Sequence, residues 1–223
     1  KMNIKELGFS DHDWFFDEIN WEKLFEIKKR NKLTLKIGLE IDYFPQEEDN
    51  IEKIIKKIPF DYCIGSVHNI NDWEFDNPDY IEEYHKRDIN SIYIEYFQFV
   101  KKAVLSGLYD IIGHFDLIKI FNFRPDDLDM ISLVDPVLKS IKQNGLVLEI
   151  NTNGLNKPVG EIYPSKKIIK RAYELKIPVT LGSDAHSYKR VGENLDEIGT
   201  LLKKIGYERI ATFNQRSKKL IKI

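Results

Sequence analysis

The chain has 223 residues, of which 42% are hydrophobic and 31% charged, with a formal net charge of −2 and a single cysteine. That balance supports one sizeable core, and no basic block points to nucleic acid or a membrane surface as a partner. One cysteine excludes a disulfide framework and suits a reducing cytoplasm, and the sequence has neither an 18-residue apolar run nor a secretory signal.

Apolar runs rich in Ile, Val, Leu, Phe and Tyr alternate with helical stretches along the chain. A strand over 4–9 leads to a helix over about 21–31, capped by Asn20. A strand over 34–41 precedes a short helix over 51–57, and a strand over 61–67 opens a long polar-aromatic loop, 69–87. The helix from about 88 to 106 puts Ile92, Tyr96, Phe99, Val100 and Ala103 on one face and closes at Gly107. A strand over 110–114 and a helix over about 130–144 follow, then a strand over 146–151 and a helix over 165–176. A strand over 177–183, a helix over 193–205 and a last strand over 210–213 complete the pattern. The basic tail from Arg216 to Lys222 reads as a solvated terminus, and Cys63, inside an apolar run, as a buried structural thiol.

No linker divides residues 1–223, which read as one domain. Repeated βα units predict parallel strands whose C-terminal ends share one rim. A doubly wound sheet gathers ligands at one switch point, whereas a barrel gathers them around its whole C-terminal face. Candidate ligands stand at nearly every strand end here, which favours the barrel.

Four of the five histidines end apolar runs: His12 in G-F-S-D-H, His68 in G-S-V-H, His114 in G-H-F-D and His186 in G-S-D-A-H. Glu40 ends G-L-E in the same manner, in an apolar context that makes an unpaired carboxylate costly. Asp184 and His186 are two apart, so continued strand geometry would turn both toward one site. Asp116 stands two residues beyond His114, as a ligand or as an acceptor that orients the ring. Alone, a histidine such as His12 or His68 reads more readily as an ordinary polar strand end; the recurrence on four strands points to a metal site. Imidazole and carboxylate without thiolate suit two or three Zn²⁺, Mn²⁺ or Fe²⁺ ions, and closely spaced ions of this kind serve phosphoester hydrolysis. Lys119, Arg124 and Arg190 are candidate phosphate contacts or solvated loop charges. Asn151 and Asn153, in E-I-N-T-N-G, either orient substrate or form a turn. The loop 69–87, with Trp73, Phe75 and Tyr80, is a candidate substrate wall or plain packing. His85, in a charged stretch, reads as non-ligating. No G-x-S-x-G elbow, P-loop or G-x-G-x-x-G is present.

The succession G-F-S-D-H, G-L-E, G-S-V-H, G-H-F-D, E-I-N-T-N-G and G-S-D-A-H resembles the polymerase-and-histidinol-phosphatase (PHP) superfamily, over almost the whole chain and closest to its histidinol-phosphatase branch. The resemblance implies a distorted (β/α)7 TIM-like barrel with a trinuclear centre. It implies His12, Glu40, His68, His114, Asp184 and His186 as metal ligands; Asp116 and His186 are the catalytic candidates, with a metal-bound water the alternative to Asp116 as general acid. The implied reaction is hydrolysis of a small phosphate ester, L-histidinol phosphate, to L-histidinol and phosphate in histidine biosynthesis. Another phosphoester substrate of the same superfamily, such as phosphotyrosine or a sugar phosphate, and a metal-binding module with a decayed site are the alternatives. The family opens with an H-x-H motif on a first strand upstream of G-F-S-D-H, and this sequence has none. The expectation is that an upstream segment carries that strand, or that the first metal site is degenerate.

Overall fold

The computed structural model describes residues 4–30 and 32–223. Its centre is a curled sheet of six parallel strands, in the order β1 (Glu6–His12), β2 (Thr34–Asp42), β3 (Tyr62–Ser66), β6 (Ile111–Ile112), β7 (Val147–Asn151) and β8 (Val179–Gly182). Strands β4 (Asn69–Ile70) and β5 (Trp73–Glu74) form a small hairpin after β3, and β9 (Arg209–Asn214) pairs with β10 (Ser217–Lys222) in a second hairpin. The helices are α1 (Trp21–Arg30), α2 (Glu48–Lys57), α3 (Ile89–Leu105), α4 (Met130–Gln143), α5 (Lys166–Glu174) and α6 (Leu195–Ile205).

Side-chain alternation gives the sheet two different faces. Ile37, Leu39 and Ile41 of β2, Cys63 of β3, and Leu148 and Ile150 of β7 join the helices in the main core. The other face carries Gly38, Glu40 and Asp42 on β2, and Val147, Glu149 and Asn151 on β7. At the N-terminal end of that concave face, Tyr62, Ile64, Ile111 and Val147 pack against Ala211 and Phe213 of β9 in a second core. Glycine is needed on this face at Gly38, where a Cβ would stand 2.4 Å from the Tyr62 ring. The C-terminal hairpin thus plugs one end of the curl and leaves the strand C-termini open at the other.

Several expected boundaries move. The first strand runs on to His12 in register with β2, and the helix after residue 44 begins at Glu48 behind a 3-10 turn over Pro45–Glu47. Asn20 does cap α1, accepting from Lys23 N at 2.9 Å; the helix end expected at residue 31 lies outside the described residues. The loop 69–87 is ordered by the β4–β5 hairpin and a 3-10 stretch over Pro78–Lys86. The barrel is an open half-barrel: among the described residues six strands are parallel, with β1 and β8 at its edges. The basic tail is not simply solvated backbone but the strand β10. Its turn at Gln215 and Arg216, both at positive φ (48° and 61°), is held by Asp61 and Asp110: Arg216 N donates to Asp61 O (2.8 Å) and Arg216 Nε to Asp110 Oδ2 (2.8 Å). No described helix is long and apolar enough to cross a membrane.

Candidate metal centre

The open end of the half-barrel holds a cavity of about 430 Å³. His12 closes β1 directly beside Glu40 of β2, its register partner, and Glu40 in turn faces Ile64 of β3. His68 follows β3 by two residues and His114 follows β6 by two, so three neighbouring strand ends deliver imidazoles around one carboxylate. His114 Nε2 lies 3.0 Å and His68 Nε2 3.8 Å from Glu40 Oε1, which also accepts from Ser66 Oγ at 2.6 Å. His68 Nδ1 is 2.5 Å from Asp42 Oδ1. His12 stands against His68, ring centroids 5.5 Å apart, and its other face is stacked on Trp14 at 3.9 Å.

Electrostatics follow from burial opposed by these neighbours. Burial disfavours the Glu40 anion, but the His114 hydrogen bond and the positive rings of His114, His68 and His12 outweigh it and hold its pKa well below the ordinary value. Burial pulls His68 down, yet the Asp42 hydrogen bond and charge prevail and push it up to about 10. His114 is also raised, by the Glu40 hydrogen bond and charge against burial, while burial lowers His12. Burial lifts Asp13 to about 6, helped by Asp42, and Glu149 to about 7. A cluster of buried carboxylates facing imidazoles in one cavity is an unfinished charge balance.

His12, Glu40, His68, His114, Asp184 and His186 all line the cavity. Asp184 and His186 arrive there differently from the strand alternation expected. β8 ends at Gly182, and Asp184 takes a left-handed φ of 46°, so a turn brings the pair in. Asn151 Nδ2 (3.2 Å) and Asn153 Nδ2 (3.1 Å) both donate to Asp184 Oδ2, which gives these asparagines an orienting place. His186 is exposed at the rim, its Nδ1 3.4 Å from Asp184 Oδ1 and its ring 6.4 Å from that of His12.

Asp116 does not orient His114. Its Oδ2 accepts from Ser165 N (2.9 Å) and faces Lys119 Nζ (2.9 Å), while His114 Nδ1 has no partner. Lys119 and Arg124 are likewise away from the cavity: Lys119 is buried against Asp116, and Arg124 Nη2 is paired with Glu161 Oε1 at 3.1 Å. Arg190 touches the site at one remove, donating to Asn153 Oδ1 at 2.9 Å. Trp73, Phe75 and Tyr80 do not line the cavity, and His85 packs on Phe123 instead.

Several lining or supporting residues carry weaker sequence signals. Asp42 could have been found, since it is two residues from Glu40 on one strand and so shares its face; Glu149 has the same relation to Asn151. Trp14, Asp76 and Lys157 line the cavity from turns that carry no periodic signal.

A model of the PHP domain matches residues 1–153. The chain belongs to the PHP domain family. A probable histidinol-phosphatase of Deinococcus radiodurans is 39% identical over 186 residues, which make up 83% of this PHP chain and 70% of that protein. The histidinol-phosphatase of Lactococcus lactis subsp. lactis is 27% identical over 239 residues, 98% of this chain and 88% of that one. The crystal structure of histidinol phosphate phosphatase from Lactococcus lactis, complexed with zinc, L-histidinol and phosphate, matches with a TM-score of 0.78 at 26% identity, covering 97% of this chain and 88% of that chain.

The residues present fit the metal that a PHP fold implies. Two groups, His12 with Asp42 and His68, and Glu40 with His68 and His114, each bring one ligand atom per residue within 4.8 Å of the others. Nδ1 of His12 and Nδ1 of His114 are buried without a hydrogen-bond partner, so donor atoms remain free for a cation.

Proposed function

We propose that this chain is a metal-dependent phosphomonoesterase that hydrolyses L-histidinol phosphate to L-histidinol and inorganic phosphate, a step of histidine biosynthesis, in the cytoplasm. The observation that carries the reading is the convergence of His12, Glu40, His68, His114, Asp184 and His186 on one cavity, in a chain similar to named histidinol-phosphatases. Residues 1–223 act as one domain, with a small-molecule substrate and no nucleic-acid or membrane partner.

Glu40 with His114 would hold one ion and His12 with Asp42 a neighbouring one, His68 joining one of the two, and Asp184 and His186 would complete the set of two or three. When bound, such Zn²⁺, Mn²⁺ or Fe²⁺ ions supply charge neutralisation for the phosphate and lower the pKa of an attacking water. The chain's own residues do the rest. Ser66 fixes the Glu40 carboxylate, and Asn151 and Asn153 fix Asp184, so the anionic wall is set before substrate enters. Trp14 braces the His12 ring. Lys157 lines the cavity and is placed to meet the phosphate as it arrives, while Arg190 acts through Asn153. His186, exposed at the rim beside Asp184, would close the ligand set on its solvent side. Asp116 serves indirectly, by holding Lys119 beneath the Tyr163 ring.

Phosphate release tests this reading, with L-histidinol phosphate compared against phosphotyrosine and a sugar phosphate, before and after chelation. Turnover of L-histidinol phosphate should dominate, vanish with the chelator and return with Zn²⁺ or Mn²⁺. Faster turnover of another ester would move the substrate, and metal binding without any turnover would mark a decayed site.

A further inference from the structure

Glu149 is a buried carboxylate, 6% exposed, that the metal set above does not use. It stands on the concave face of β7, yet it is not among the residues that line the cavity. Its carboxylate lies behind the wall of ligands rather than in it. Oε2 accepts from His114 N at 2.9 Å and from Asn151 Nδ2 at 3.1 Å. The same Asn151 amide reaches Asp184 Oδ2 at 3.2 Å. One chain of hydrogen bonds thus runs from the backbone of His114, through Glu149 and Asn151, to the side chain of Asp184.

Strand pairing shows why a side chain is needed there. The β6–β7 ladder ends at Ile112 and Leu148, and the β7–β8 ladder at Asn151 and Gly182. His114 and Asp184 both lie beyond the last rung, and Asp184 also holds a left-handed φ of 46°. Past the ladder, Glu149 takes the place of a strand carbonyl for His114 N. Both flanking strands leave it room, with Gly113 just before His114 and Gly182 at the end of β8. A Cβ on Gly182 would collide with Glu149 Oε1, and one on Gly113 would stand 2.7 Å from Ser66 Oγ, the hydroxyl that holds Glu40. Packing alone does not account for this residue, because burying a carboxylate costs far more than burying a leucine of similar size.

We propose that Glu149 is a positioning residue that couples the two sides of the metal centre, so that the ligand positions of His114 and Asp184 are set together. The proposal rests on the metal-centre reading above and adds to it a residue that touches neither ion nor substrate.

Zn²⁺ calorimetry on metal-free protein tests it, with wild type, Glu149→Gln, Glu149→Leu, Asn151→Ala and the double variant Glu149→Leu/Asn151→Ala. Glu149→Leu should weaken Zn²⁺ binding by roughly ten-fold to a hundred-fold, as expected when a ligand loses its support. Glu149→Gln keeps an acceptor for both donors and should bind within about three-fold of wild type. Asn151→Ala should cost less than Glu149→Leu, since Asn153 still holds Asp184. The double variant should bind about as Glu149→Leu alone, because the two residues are links of one chain. Glu149→Leu binding like wild type overturns the coupling, as do losses that multiply in the double variant. Glu149→Gln binding as weakly as Glu149→Leu would make the charge itself the cause and overturn it too. Should Glu149→Leu fail to fold, Glu149→Gln against Asn151→Ala decides: the first must bind like wild type and the second at least about three-fold more weakly. If wild type takes up no Zn²⁺, the metal reading fails and the coupling with it. Wild type that binds Zn²⁺ with the expected pattern of variants but releases no phosphate upholds the coupling and removes only the phosphatase reading.

Discussion

Lys119 Nζ lies 2.9 Å from Asp116 Oδ2, and both side chains are almost wholly buried, 2% and 4% exposed. The ammonium also donates to Ile162 O at 2.8 Å. This is a structural ion pair beneath the site, and its two charges are worth most to each other. Lys119→Met should therefore destabilise the fold by about 3–5 kcal/mol, because Asp116 is left buried without its cation. The double variant Lys119→Met/Asp116→Leu should recover much of that loss. Urea unfolding of the two proteins checks it; a single variant as stable as wild type would show that Asp116 finds another partner.

The Glu40 carboxylate is the common neighbour of His68 and His114. Glu40→Gln should lower bound metal and reduce phosphate release by roughly a hundred-fold or more, with the fold retained. His186→Ala should act in the same direction with less effect on metal content, since its ring is mostly solvent-exposed. Metal analysis beside turnover separates the two, and unchanged turnover in either variant would sink the ligand assignment.

Glu149 carries a pH signature. Burial lifts its carboxyl from an ordinary value near 4.5 to about 7. A group whose pKa is raised on folding adds stability that is complete below its unfolded value and lost as pH rises through the folded one. Metal-free wild type should therefore lose stability between about pH 4.5 and 7 on this account. Glu149→Gln keeps an acceptor for His114 N (2.9 Å in wild type) and should show a flatter profile over that window. Equal slopes for the two proteins in denaturant titrations at pH 5 and 8 would remove Glu149 as the source.

Two glycines should respond oppositely to alanine. A Cβ on Gly182 would stand 2.0 Å from Glu149 Oε1, whereas one on Gly199 in α6 meets only Ile223 Cγ2 at 3.7 Å. Gly182→Ala should cost about 1–3 kcal/mol through overpacking, and Gly199→Ala should add about 0.5–1 kcal/mol through helix propensity. Thermal unfolding of both variants reads the signs directly.

The helices, the strand ends and the histidines upon them were legible because each leaves a local mark: apolar period, cap, closing glycine. What escaped depends on partners distant in sequence. The strand Ser217–Lys222 is exposed along its length, so no alternation betrays it; it exists because β9 offers a backbone edge and Arg216 finds Asp110, 106 residues away. Lys119 looks like a free rim charge until Asp116 and the Ile162 carbonyl are seen to enclose it. The ring of ligand-bearing strand ends points to a barrel-like sheet, and the curled half-barrel gathers those ends on one rim.

The alternation on β2 has a further consequence. Leu39 and Ile41 face the helices while Glu40 and Asp42 face the cavity, Glu40 in register with His12 on one side and Ile64 on the other, and Asp42 with Ser66. A slip of one residue would drive both carboxylates into the apolar layer and turn two aliphatic side chains toward the imidazoles. The groups that would handle phosphate thus also serve as alignment marks for the sheet, so errors in strand pairing and errors in chemistry are rejected by the same few side chains.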